Sequence, residues 1–182
     1  MDRLRVATVW LGGCSGCHMS FLDLDEFLVD FAGLADLVYG PLMDVKEYPE
    51  KVDVCLVEGA VCNEDHLELL RKIRQRTKVV LAFGDCAVTG NVPALRNQLG
   101  PGNAESVLQR AYIELAQTNP AVPREPGIVP LLLERVQPLH EVVHVDYYLP
   151  GCPPPAERIK VALLPMLQGA APKLEGAQLK FG

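Results

Sequence analysis

The sequence predicts an α/β fold: a doubly wound parallel sheet of about five strands, flavodoxin-like, with helices on both faces. Apolar and β-branched runs of strand length alternate along the chain with segments of helical periodicity. Several of these runs are continuously apolar instead of alternating, which is typical of strands covered on both faces. We therefore expect the sheet to be the buried middle layer, with strand order 2-1-3-4-5.

Each element of this fold has a local signal. The predicted strands are residues 4–10, 36–39, 52–58, 78–83 and 141–149. A helix is expected over residues 20–32, where apolar side chains recur at helical spacing and Gly33 follows. Another helix is predicted to begin after Asn63, because acidic residues follow this N-cap candidate and basic residues come near the helix end. The last helix is expected at about residues 156–167.

Residues 90–138 interrupt the alternation of strands and helices. They are rich in Gly and Pro, and only residues 104–117 within them have a helical pattern. We interpret this segment as an irregular excursion with one helix, inside a single domain that covers residues 1–182.

Composition and charge argue against several classes of function. The formal net charge is −6 and no long basic run is present, so neither a nucleic-acid footprint nor a polybasic membrane patch is indicated. The apolar runs are of strand length, and residues 1–6 lack the pattern of a secretory signal, so we expect a cytoplasmic protein. Six cysteines are too sparse for a disulfide framework in a chain of this length, which favours metal binding or redox chemistry.

Four of the cysteines follow predicted strands. Cys14 and Cys17 come after the first strand, Cys86 after the fourth and Cys152 after the fifth. The carboxyl ends of parallel strands meet at one edge of a sheet, so these thiols are expected to share one site. Glycines and prolines flank them, and such loops let the backbone approach an inorganic cluster closely. Four thiolates are the number that a 4Fe–4S cubane requires.

Other interpretations of the cysteines exist. Zinc sites and thioredoxin-like redox pairs also use Cys-x-x-Cys. Structural zinc usually has two close pairs, whereas Cys86 and Cys152 are isolated, so zinc is disfavoured but stays open. A thioredoxin-like pair leaves these two thiols without a role. Cys55 lies inside a predicted strand and is expected in the core, and Cys62 is interpreted as a partly buried free thiol whose role is open.

The loops taken together resemble the small, electron-transferring subunit of nickel–iron hydrogenases. The matching segments, in the family's order, are Trp10-Leu11 before residues 14–17, then residues 57–60, 84–87 and 150–154. Residues 17–23 resemble the cytoplasmic, bidirectional, NAD(P)-reducing hydrogenases. The related cluster-bearing subunit of respiratory complex I has adjacent cysteines where Cys14 and Cys17 are separated here.

This resemblance implies an electron relay. Cys14, Cys17, Cys86 and Cys152 match the ligands of the proximal 4Fe–4S cluster. The nickel–iron centre is implied to lie on a separate large subunit. Electrons would pass between that centre and diaphorase subunits with a flavin and iron–sulfur clusters.

Two further residues are candidates for a role beside the cluster. Glu58 ends an apolar strand at the same edge, where it either bonds nearby backbone amides or takes part in proton handling. His18 directly follows Cys17, and it either donates a hydrogen bond toward the cluster or lies at a surface or subunit contact.

Two other functions stay open at this point. One is an iron–sulfur subunit of a complex I-like quinone oxidoreductase, and the other is a non-enzymatic zinc- or flavin-binding domain. FMN binding is left open and is not predicted, because no phosphate loop of the Ser/Thr-rich flavodoxin kind is present.

Overall fold

The computed structural model describes residues 3–181. The strands are β1 Leu4–Trp10, β2 Ala35–Tyr39, β3 Val52–Glu58, β4 Val61–Asn63, β5 Thr77–Phe83, β6 Leu132–Gln137 and β7 Tyr147–Leu149. The α-helices are α1 Gly16–Leu22, α2 Phe27–Leu34, α3 Glu64–Arg76, α4 Asp85–Thr89, α5 Asn103–Gln109 and α6 Ala156–Leu167. Short 3-10 helices cover Val92–Leu99, Leu139–Glu141 and Gly176–Leu179, and one π turn covers Arg110–Glu114.

A five-stranded parallel sheet forms the centre of the fold, in the order β2-β1-β3-β5-β7. Renumbered within this sheet, the order is the predicted 2-1-3-4-5, so the predicted fold class is confirmed. Trp10 pairs with Glu58, and Glu58 pairs with Phe83. Because β1, β3 and β5 end level with one another, the loops that follow them leave the sheet at one edge.

Helices cover both faces of the sheet, as the continuously apolar strands predicted. Along β3, Leu56 points into a core layer that contains Phe21, Phe27 and Ile159 of the helices α1, α2 and α6. The opposite layer takes alternate β3 residues together with buried side chains of α3. The alternation follows from the two-residue period of a strand. No helix among residues 3–181 has the length and apolar character needed to cross a membrane.

The structure bears out the cap of α3. Asn63 Oδ1 accepts a hydrogen bond from the backbone N–H of His66 at 2.9 Å. This bond satisfies one of the free N–H groups of the first turn, which sets where the helix begins. The predicted bounds of β1, β3 and α6 also match the structure.

Two elements differ from the prediction. The helix expected over residues 20–32 is two helices, α1 and α2, separated by a turn in which Asp25 has a φ of 48°. The strand expected over residues 141–149 is present only as β7. Pairing between β5 and β7 begins only at Leu81 and Tyr147. The backbone N–H of Val80 donates to the Asp146 carboxylate at 2.8 Å, so it is not available to a backbone carbonyl of a longer strand.

The excursion at residues 90–138 contains more structure than was predicted. Its expected helix is α5 followed by the π turn, and β6 pairs antiparallel with β4 in a small second sheet. Arg96 fastens the 3-10 helix to this sheet by donating a hydrogen bond to Leu133 O. Such pairing joins residues that are far apart in sequence, so no local pattern predicts it.

Candidate metal centre

The four candidate cysteines lie on loops or first helical turns at the carboxyl edge of the parallel sheet. Cys14 is exposed in the loop after β1, and Cys17 is buried in the first turn of α1. Cys86 is partly buried in α4, directly after β5, and Cys152 is exposed after β7. The structure therefore places all four at the edge that the sequence indicated.

Backbone hydrogen bonds hold the first cysteine loop against the loop after β3. Leu11 N–H donates to Glu58 O at 2.8 Å. Gly12 and Ala60 exchange two bonds, at 3.0 Å and 2.8 Å. The loop that carries Cys14 therefore has a fixed position relative to the central strand.

The other two loops are tied to each other and to α1. Asp85 N–H donates to Gly151 O at 2.9 Å, and Gly151 N–H donates to the Asp85 carboxylate at 2.6 Å. Ser20 of α1 donates its hydroxyl to Pro154 O at 2.6 Å in a buried contact. These bonds join the segments that carry Cys17, Cys86 and Cys152, which have no close relation in sequence.

Glycine is required where the backbone passes closest to the sulfurs. Gly84 has a φ of 83°, and a Cβ at this position would collide with Cys17 Sγ. A Cβ at Gly16 would lie 3.2 Å from Cys14 Sγ. Because Gly alone adopts positive φ without steric cost, the loop glycines preserve both the path of the chain and the space around the thiols.

The four thiols influence one another electrostatically. Burial raises the pKa of Cys17 far above its usual range, and negative charge on Glu58 and on the other three thiols adds to this effect. The pKa of Cys86 is raised to about 11, first by burial and then by the negative charges of Cys152, Cys14, Glu58 and Asp85. A site that gathers this many acidic groups is suited to a cationic group, which stabilises thiolates.

Two N–H groups donate to the sulfurs of candidate ligands. Gly16 N–H lies 3.4 Å from Cys14 Sγ, and the side-chain amide of Asn91 lies 3.5 Å from Cys152 Sγ. Hydrogen bonds to ligand sulfurs are a means by which proteins adjust iron–sulfur clusters. Asn91 carries no local signal in the sequence, because its contact is with a residue on a different loop.

Glu58 and His18 form a pair at the same edge. Glu58 is only 2% exposed, and it accepts the backbone N–H of His18 at 3.0 Å as well as a contact from His18 Nδ1. The other ring nitrogen, Nε2, is buried and has no hydrogen-bond partner among residues 3–181. The Glu58 carboxylate thus fixes the start of α1, where Cys17 lies.

The remaining cysteines differ from these four. Cys55 is fully buried within the core layer that includes α3, as expected from its position in a strand. The thiol of Cys62 donates a hydrogen bond to Ala60 O at 3.5 Å. The Cys62 sulfur lies so close to Gly12 that a Cβ added to Gly12 would collide with it. Burial raises the pKa of the Cys62 thiol.

The donor set suits an iron–sulfur cluster. Within residues 3–181, no three His, Cys, Asp or Glu side chains form a group suited to a single metal ion. A cubane instead binds its four thiolates at separate irons, and four thiols on braced, glycine-rich loops match this requirement in number and chemistry.

Comparison with known proteins identifies the family. A model of the family described as "NADH ubiquinone oxidoreductase, 20 Kd subunit" matches residues 14–166, which is most of the chain. The chain belongs to this family. The match includes the loops that carry all four candidate cysteines.

Individual relatives are hydrogenase subunits. A subunit of the F420-non-reducing hydrogenase of Methanothermobacter thermautotrophicus is 39% identical over 176 residues, which cover 92% of this chain and 54% of the relative. The delta subunit of the NAD-reducing hydrogenase HoxS of Cupriavidus necator is 38% identical over 171 residues, which cover 92% of this chain and 80% of the relative. The chain spans between half and two thirds of the first four curated relatives it matches.

Solved structures agree with this assignment. A crystal structure of an NAD+-reducing [NiFe]-hydrogenase in the H2-reduced state contains a chain that is 42% identical, with a TM-score of 0.92 and full coverage of both chains. A Ni-Fe-Se hydrogenase from Desulfomicrobium baculatum, at 16% identity and a TM-score of 0.63, shares the fold. The resemblance to the hydrogenase small subunit is therefore confirmed.

Proposed function

We propose that this chain is the electron-transfer small subunit of a soluble, cytoplasmic, NAD(P)-reducing nickel–iron hydrogenase. The observation that carries the proposal is that three hydrogen-bonded segments carry four cysteines at one edge of the sheet, in a chain that is 42% identical to a subunit of an NAD+-reducing [NiFe]-hydrogenase. The longer relatives, named as subunits of F420-non-reducing hydrogenases, support the same reaction class, although their names do not say which acceptor is reduced.

Cys14, Cys17, Cys86 and Cys152 would hold one 4Fe–4S cluster. When bound, such a cluster accepts and releases one electron at a time. The chain itself would position the cluster and determine its environment. The thiolates would bind it, and the glycines allow the backbone to approach the sulfurs closely. The burial of Cys17 limits the access of water. In this proposal the protein performs no bond chemistry on hydrogen.

The proposed partners follow because this chain would relay electrons without activating hydrogen itself. A large subunit would carry the nickel–iron centre, and diaphorase subunits with a flavin and iron–sulfur clusters would exchange electrons with NAD(P). The cysteine edge should face the large subunit, because electron tunnelling requires proximity. The exposed side chains of Trp10 and Met19, 45% and 59% exposed, flank this edge and provide apolar surface for such a contact.

Glu58 and His18 are proposed to support the cluster without binding it. Glu58 bonds the backbone and the ring of His18, and His18 follows the ligand Cys17 in the chain. This arrangement orients the first turn of α1 by a charge-assisted hydrogen bond. A proton-handling role for Glu58 is the second hypothesis for this residue.

Chemical analysis tests the cofactor. The chain is purified anaerobically, and iron, sulfide, zinc and flavin are measured. We expect equal amounts of iron and sulfide, about four of each per chain, as a cubane requires. Zinc without sulfide would instead support a structural metal site, and stoichiometric FMN without iron would support a flavin-binding domain.

Substitution of one ligand tests the relay. We expect Cys86→Ala to lose cluster content and hydrogen-dependent NAD(P)+ reduction in the assembled enzyme, because a cubane needs all four thiolates. Cys62→Ala is the matched control, since Cys62 lies near the same edge but bonds Ala60 O, and it should retain both properties. Normal cluster content and full activity in Cys86→Ala would refute the assignment.

The acceptor is tested in the same enzyme. Hydrogen-dependent reduction of NAD+ and NADP+ supports the proposed class, whereas reduction of a quinone alone would support the complex I-like alternative. The separation of Cys14 and Cys17 favours the hydrogenase class, because the complex I subunit is expected to have adjacent cysteines at this place.

A further inference from the structure

Asn91 is close in sequence to one proposed ligand, Cys86, and contacts another, Cys152. It follows α4, which begins at Asp85 and carries Cys86, and it precedes the 3-10 helix Val92–Leu99. Its side-chain amide reaches across to the neighbouring loop, where Nδ2 is 3.5 Å from Cys152 Sγ. This distance is suitable for an N–H···S hydrogen bond.

Hydrogen bonds on both sides of Asn91 fix the path of the backbone at this residue. Asn91 has a φ of 36°, an uncommon value for a residue other than Gly. The chain is braced on both sides of it: Gly90 N–H donates to Cys86 O at 3.0 Å, and Ala94 N–H donates to the carbonyls of Gly90 and Asn91 at 3.1 Å. The Cα and Cβ atoms of Asn91 therefore have a fixed position from which the side chain reaches Cys152.

We propose that Asn91 is a positioning residue that raises the reduction potential of the cluster by donating a hydrogen bond to the Cys152 sulfur. This inference rests on the proposed function, since it requires a cluster at Cys152. Reduction adds negative charge to the cluster and its ligand sulfurs, so an N–H donor stabilises the reduced state more than the oxidised state. Removing the donor should lower the potential.

The hydrogen bond from Asn91 to Cys152 can be removed by mutation, because its donor belongs to a side chain. The N–H of Gly16, which donates to Cys14 Sγ at 3.4 Å, belongs to the backbone and remains in any variant. Because Cys152 is exposed, solvent water would partly replace a lost donor. The expected shift is therefore moderate.

The experiment compares three variants of the full chain, loaded anaerobically with iron and sulfide. Asn91→Gly removes the amide and tolerates the positive φ. Asn91→Asp keeps the shape of the side chain but replaces a donor with a negative charge. Asn119→Gly is the matched control, because Asn119 is also an asparagine with positive φ, 48°, but is exposed in a different loop. The measurement is the midpoint potential of the cluster, followed by EPR during a redox titration.

We expect a more negative potential in Asn91→Gly. At the potential where the wild-type cluster is half reduced, the ratio of reduced to oxidised cluster should fall by about threefold, equivalent to about 28 mV for a one-electron couple. Asn91→Asp should shift further in the same direction, and Asn119→Gly should match the wild type.

The outcomes separate this inference from the proposed function. An unchanged or higher potential in whichever Asn91 variant retains full iron and sulfide would overturn the role of Asn91 and leave the cluster assignment intact. A wild-type chain that binds no iron and sulfide would overturn both. Loss of the cluster from both Asn91 variants, with normal folding, would show that Asn91 is needed for binding and not for tuning, which also overturns the inference.

Discussion

At the scale of single residues, Glu58 connects the strand layer with the cysteine site. It ends β3, is only 2% exposed and accepts hydrogen bonds from the backbone and ring of His18. A carboxylate this deeply buried is tolerated because one of its oxygens, Oε2, accepts both of these bonds. The pair therefore helps to determine where α1 begins, and with it the position of Cys17.

Replacing Glu58 with Gln should weaken this start of α1. The amide preserves the shape but loses the negative charge beside His18, so we expect the free energy of unfolding of the metal-free chain to fall by about 1–3 kcal/mol. Anaerobic chemical denaturation measures this change. Glu68→Gln, at an exposed position of α3, is the control and should leave stability unchanged.

The same variant distinguishes the two hypotheses for Glu58. If Glu58 handles protons, the assembled Glu58→Gln enzyme should keep its cluster content but lose hydrogen–deuterium exchange activity. If Glu58 only supports α1, exchange activity should follow cluster content. Unchanged stability, cluster content and exchange would contradict both roles.

At the scale of elements, the site depends on how closely β5 and α4 approach α1. Gly84 joins β5 to α4 with a φ of 83°, and its hydrogen faces Cys17 Sγ at a point where no Cβ fits. The strand–glycine–helix connection thus brings Cys86 close to Cys17. The sequence indicated the need for glycine in this loop, but not which sulfur it accommodates.

Gly84→Ala should therefore disrupt the site. The new Cβ would meet Cys17 Sγ, and the positive φ would strain the alanine, so we expect a loss of about 1–3 kcal/mol in stability and most of the iron and sulfide. Gly33→Ala in α2 is the control, because its added Cβ would meet no atom within 4 Å apart from its chain neighbours and the backbone of the same helix. Full cluster content in Gly84→Ala would contradict this explanation of the loop.

Element prediction succeeded where the local signal and the tertiary environment agreed. The Asn63 cap and the apolar run of β3 each specify one structure, and both were found as predicted. The prediction of a strand before Tyr147 was wrong, because the Asp146 side chain, and not a backbone carbonyl, accepts the hydrogen bond from Val80 N–H. That choice depends on a contact across 66 residues, which periodicity does not report.

At the scale of the whole molecule, the proposed division between subunits is testable. The proposal assigns a relay cluster to the cysteine edge of this chain and hydrogen activation to a partner. We expect the isolated chain, loaded with its cluster, to show an EPR signal on reduction but no hydrogen–deuterium exchange. Exchange should be restored when the large subunit with its nickel–iron centre is added. Exchange by the isolated chain would contradict this division.

The sequence by itself determined the fold class, and it predicted both the strand order and a shared site for four cysteines. The fold class depends on the periodicity and apolar character of each segment, which can be read locally. The strand order and the shared site follow from general rules for this fold class. The family resemblance added the expected cluster and partners. The site residues remain predictions that the ligand experiments will test.

Only the tertiary structure showed how the site is held together. The Asp85–Gly151 bonds, the contact of Ser20 with Pro154 and the approach of Asn91 to Cys152 join loops that are far apart in the chain. Such contacts depend on the twist of the sheet and on the path of each loop. These contacts form only when separate segments pack against one another, so the sequence of a single segment does not predict them.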